Sequence, residues 1–137
     1  MNSKMLIGGI LGGVVLFALG WLVYGILMAD SMEGVPCMRP HDAVLPLWIV
    51  IGNIFTGLLI SFTFSKMATV TTFGSGAMTG AIMGLLLAIG YDSLMYGIST
   101  MMAKPTDILM DAVMTAVFWA IAGGVVGWWL GRGPKTA

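Results

Sequence analysis

The sequence predicts an all-α polytopic membrane protein: four transmembrane helices in an up-down bundle, with both termini in the cytoplasm. Three observations carry that expectation. Apolar residues make up 58% of the 137 positions and charged residues only 9%, against about 25% charged in soluble domains. So much apolar surface exceeds what a chain of this size can hide, and lipid has to act as its solvent. The apolar residues fall in four consecutive runs without period-2 alternation, so helices must satisfy the backbone in lipid. Each run reaches the roughly 20 residues needed to cross a ~30 Å hydrocarbon layer. A mean hydropathy of +0.99 agrees.

The four runs form a single transmembrane domain over 1–137. The first, 5–29, has no charged side chain and exceeds the apolar stretch of about 7–15 residues in a signal peptide, so it is expected to be a retained helix. The second, 43–65, is also uncharged and holds Pro46 near its start, where a helix tolerates proline. The third, 76–103, contains one charge, Asp92. The fourth, 106–131, carries Asp107 and Asp111 in its first turns and no charge after them. Lys4, Lys66, Arg132 and Lys135 flank the ends that share one side, and Arg39 and Lys104 lie on the other. An excess of basic residues marks the cytoplasmic face, which places both termini there and the acidic residues in the outer half.

Small residues repeat at four-residue spacing on each helix: Gly8 and Gly12 on the first, Asn53, Gly57 and Ser61 on the second, Gly76, Gly80 and Gly84 on the third, Gly123 and Gly127 on the fourth. Helices in lipid associate through close backbone approach rather than hydrophobic drive. These stripes therefore predict a tight bundle or an oligomeric seam.

Asp92 continues the small stripe of the third helix, so it should face protein. It lies about ten residues from the expected outer end of its helix, roughly 15 Å deep at 1.5 Å per residue. Counting from the outer ends puts Asn53 and Thr115 at a similar level and Asp111, Tyr24 and Tyr96 somewhat shallower. An intramembrane polar cluster in the outer half is the expectation. In one reading Asp92 is neutral and donates to Asn53, Thr115 or a tyrosine, since burial disfavours the charged form of a carboxyl. In the other it carries protons or binds a cation, the common role of intramembrane acids.

The outer loop, "DSMEGVPCMRPHDAVLP", offers Cys37, Met38 and His41. Thiolate, thioether and imidazole suit Cu(I), but no pair shows a recognised metal spacing, and methionine is a common filler of apolar gaps. No metal or other cofactor is therefore expected. Catalysis has no motif behind it: Asp107 and Asp111 share a face with Thr115, yet acids in a first helical turn commonly just favour its positive end. Zero net charge and a pI near 6.5 provide no footprint for nucleic acid. "GWLVYGI" in the first helix and "GYDSLMYGI" in the third echo one another.

The stretches "LGWLVYGILMAD", "FSKMATVTTFGSGAMTGAIMG" and "GGVVGWWLG" resemble small four-helix bacterial membrane proteins of unknown function, frequent in Bacteroidetes-type genomes. The resemblance implies a bacterial inner-membrane location and carries no catalytic or binding residues. The functional expectation is a multi-pass protein without enzymatic activity, in contact with membrane lipid. It would act as an accessory subunit through self-association or within a larger membrane complex. The first alternative is a small proton or cation transporter or channel using Asp92 and the outer acids. A weaker one is an outer-face copper or other metal binder.

Overall fold

The structure, a computed structural model, describes residues 2–32, 34–35 and 37–132, apart from the side chains of Met32 and His41. Helices and their connections account for the described residues, with no strand among them. α1 spans Ser3–Leu22 and runs on through a π-helical turn at Val23–Leu27 into the four-residue α2, Ala29–Met32. A 3-10 turn at His41–Ala43 precedes α3 (Pro46–Ser65), α4 (Phe73–Ile98) and α5 (Pro105–Gly131). Four helical spans are long and apolar enough to cross a membrane: Ser3–Leu27, Pro46–Ser65, Phe73–Ile98 and Pro105–Gly131. No more than 28% of the apolar window of any span is buried. Most of each apolar window is thus at least partly exposed, as suits helices that could span a membrane.

Local chemistry sets the helix starts. The Asn2 side chain accepts from the Met5 amide at 2.9 Å, and Pro46 and Pro105 occupy first-turn positions where a missing N–H is harmless. Thr72 and Ser75 cap α4 reciprocally, Ser75 N–H to Thr72 Oγ1 at 3.1 Å and Thr72 N–H to Ser75 Oγ at 3.0 Å. The fourth start uses Asp107, whose Oδ2 accepts from the Ala103 and Lys104 amides. That capping bond is the role taken by Asp107.

The bounds differ from the apolar runs where capping outweighs hydropathy. α4 begins at Phe73 rather than 76 because of the Thr72–Ser75 box. It stops at Ile98 rather than 103: Ser99 turns extended (φ −139°, ψ 168°) and its hydroxyl folds back on the Met95 carbonyl at 2.7 Å. Pro105 then keeps Lys104 out of helical geometry. α3 begins at Pro46 rather than 43, and the first span covers 3–27 rather than 5–29.

Two hairpin-like pairs make up the bundle. α1 packs antiparallel on α3, Met5 meeting Ser61 and Gly13 meeting Ile54. α4 packs antiparallel on α5, Gly76 meeting Gly123 and Gly84 meeting Thr115. α5 joins the pairs by packing along α1 and, less extensively, on α3. The core lies at this three-helix junction, around Leu16, Ile60, Phe64, Trp119, Ala122 and Val126.

All eight stripe glycines lie in seams within the chain. A Cβ on Gly76 or Gly80 would strike the Gly123 or Trp119 carbonyl oxygen, and one on Gly84 would sit 2.7 Å from the Trp119 side chain. Gly123 and Gly127 face α4 in return, while Gly8 faces Ser61 and Gly12 faces Val126. The tightest α1–α3 approach uses Gly57 against Gly9 and Gly13, whereas Gly20, further along α1, has no neighbour within 4 Å of an added Cβ.

Lys4, Lys66 and Arg132 gather at one end of the bundle. Lys4 Nζ donates to the Arg132 carbonyl, and Lys66 lines a hollow with Asn2 and Met5. Trp129 Nε1 donates to the Lys4 carbonyl at 2.9 Å, and Arg132 stacks 4.1 Å from the Trp128 ring centroid. Lys135 lies outside the described residues.

Candidate functional site

The opposite end holds the polar cluster, built around Asp111. On α5, Asp111 lies one turn above Thr115, whose Oγ1 donates to Asp111 Oδ2 at 3.3 Å. Across from them, Tyr24 reaches in from the π turn of α1 and donates to Asp111 Oδ1 at 3.5 Å. The π turn is closed by the Met28 amide on the Val23 carbonyl at 2.7 Å. Such an extra residue per turn rotates the side chains beyond it, and π turns often occur at functional sites. Here it occupies the first copy of the "GWLVYGI" echo. The second copy is continuous α-helix and leaves Tyr96 exposed, so the two copies are not equivalent and Tyr96 stands apart from the cluster.

α4 brings the second acid. Asp92 is 4% exposed, and its carboxyl neighbours that of Asp111. The Asp92 Oδ2 has no hydrogen-bond donor. Two ionised carboxyls can only accept, so a pair placed side by side favours a proton or a cation between them. This differs from the expected partners. Thr115 and Tyr24 both donate to Asp111 instead, and Asn53 donates from Nδ2 to the Ile49 carbonyl of its own helix at 2.8 Å. The cause is the position of the α4 terminus. With α4 ending at Ile98 and α5 starting at Pro105, Asp92 and Asp111 each lie six residues, or about 9 Å, from that end. They share one level on adjoining helices.

A cavity of about 1010 Å³ opens beside Asp111. Trp21 and Tyr24 of the first span, Asn53 and Thr56 of α3, and Asp111, Thr115, Phe118 and Trp119 of α5 line it. The connection between α2 and α3 closes one side with Met38 and Arg39. Tyr24 and Phe118 meet edge to face, their centroids 6.0 Å apart at 73°. Thr56 and Phe118 were not singled out from the sequence. Their signal was present, since Thr56 follows Asn53 by three positions and Phe118 follows Thr115 by three, the spacing of a shared helix face.

Of the candidate metal ligands, the structure describes the side chains of Cys37 and Met38. Cys37 is exposed with φ of 68°, Met38 faces the cavity, and the His41 side chain lies outside the described residues. No group of three His, Cys, Asp or Glu among the described residues is arranged to hold a metal ion.

Comparison with protein-family models, with curated proteins and with solved structures finds no match, so the reading of this site rests on the chain's own residues.

Proposed function

We propose that the chain is a multi-pass protein of a bacterial inner membrane that takes up protons or small cations at the Asp92–Asp111 pair, as a small transporter or channel. One observation carries this reading. A buried carboxyl with an unpartnered oxygen sits beside a second carboxyl, and the second lines a cavity. Intramembrane acids are costly to bury and mark ion or substrate paths. The cluster of Lys4, Lys66 and Arg132 at the other end supports an up-down orientation with both termini cytoplasmic. The bacterial assignment rests on the resemblance of the three stretches quoted above.

Orientation has its own test. A reporter fused after Ala137 is expected to be active in the cytoplasm, and one placed between 34 and 40 in the periplasm. The reverse pattern removes the outward-facing cavity.

Uptake is tested in proteoliposomes. Purified wild-type protein under an imposed proton or cation gradient should carry flux. Asp92→Asn should keep its helical spectrum and carry none, because an amide cannot ionise. Wild-type protein carrying neither protons nor common cations overturns the reading. That result favours the accessory-subunit alternative, without enzymatic activity. The short connections 66–72 and 99–104 support that alternative by leaving the outward helix faces as the main surface for a second copy or a larger complex. The stripe glycines are already occupied within the chain, so association would use those outward faces instead.

A further inference from the structure

We infer that the cavity beside the acid pair binds an organic cation of aromatic size, a lipophilic quaternary or protonated amine, with Asp111 as its counter-charge. This rests on the reading that the Asp92–Asp111 pair accepts positive charge, and extends it to a class of substrate.

Size gives the first argument. A bare proton or metal ion needs only its ligands, whereas about 1010 Å³ lies at the upper end of the roughly 300–1,000 Å³ typical of sites for small organic molecules. The walls give the second. Trp21 and Tyr24 from one side and Phe118 and Trp119 from the other bring aromatic rings to the same space. Ring faces attract a desolvated cation, tryptophan most strongly.

Charge gives the third. Tyr24 and Thr115 each supply one donor to Asp111, and Asp92 Oδ2 has none. Acceptors therefore exceed donors, and a positive group is what the cluster lacks. The groups facing it from other elements are Tyr24 of the first span and Asp92 of α4, while α3 contributes neutral Asn53 and Thr56 to the cavity wall. Arg39, exposed on the covering connection, is the one basic residue among the described lining. A cation is thus drawn to the α5 wall and away from the loop. Asp111 serves as a counter-charge only in its ionised form, and any proton on it leaves to the solution when the cation arrives. Binding should therefore strengthen as pH rises.

The test is equilibrium dialysis of full-length protein in mild detergent with tetraphenylphosphonium, against triphenylphosphine oxide as a neutral probe of similar bulk. Wild-type protein should hold the cation and largely ignore the neutral probe, more tightly at higher pH. Asp111→Asn should weaken the cation by about tenfold or more, the loss of one charge-assisted contact, with an unchanged helical spectrum. Trp21→Leu, at a wall residue 45% exposed, provides a second variant and should weaken it severalfold. Equal binding of both probes, or cation binding that survives Asp111→Asn and Trp21→Leu, overturns the inference in favour of a lipid-filled cleft. No cation binding by a protein that still carries proton flux overturns the inference and leaves the acid-pair reading standing. Absence of both binding and flux removes the two together.

Discussion

Gly80→Leu is expected to lower the thermal stability of the detergent-solubilised protein sharply, while Val50→Leu leaves it close to wild type. The two changes differ in what they meet. At Gly80 even a Cβ would strike the Trp119 carbonyl oxygen and lie 3.2 Å from the Gly123 Cα. These are backbone atoms of a neighbouring helix, so no rotamer change relieves the clash and α4 must separate from α5. Overpacking a close-fitting seam typically costs about 1–3 kcal/mol, and a displaced helix would stand at the upper end of that range or beyond it. Val50, by contrast, is 36% exposed on α3, and a larger side chain there extends toward lipid. Thermal scans of both variants at equal detergent concentration decide the matter. Equal melting temperatures would show that the α4–α5 seam is not held by close approach at Gly80.

That seam was legible in the sequence because its cause is local. Four-residue spacing of small side chains makes a continuous groove on any helix, so Gly76, Gly80 and Gly84 are readable without knowing their partner. Which helix fills the groove was not readable, since every helix carried such a stripe. The stripes also admitted an oligomeric seam, whereas the structure uses the eight glycines within one chain. The polar cluster was legible as residue types and approximate depth. Its wiring was not, for two physical reasons. Ser99 and Pro105 stop α4 five residues before its apolar run ends, which raises Asp92 to the level of Asp111. The π turn at Val23–Leu27 then aims Tyr24 at Asp111, and no residue pattern in the first span signals that turn. The cavity follows from both, together with the chain between α2 and α3 that covers it.

Replacing Asp92 with valine is expected to make the protein more stable and to abolish flux, and the opposing signs are the point of the experiment. A buried polar atom without a partner costs about 1–3 kcal/mol, and Asp92 Oδ2 is such an atom in a residue 4% exposed. None of the neighbouring donors depends on it: Tyr24 and Thr115 donate to Asp111, and Asn53 donates to Ile49. Removing the carboxyl strands no donor and relieves the approach of two like groups, so a gain of about 1–3 kcal/mol follows. Asp92→Ala, which adds no volume, guards against crowding by the valine methyls. A side chain kept at the expense of stability is the signature of a site under functional demand. Chemical or thermal unfolding of the two variants, paired with proteoliposome flux, reads both quantities on the same protein. A fall in stability for Asp92→Val and Asp92→Ala alike would mean that a proton on Asp92 ties α4 to Asp111, making the acid a structural clasp. A rise in stability with flux retained would leave Asp111 as the sole acid the site requires.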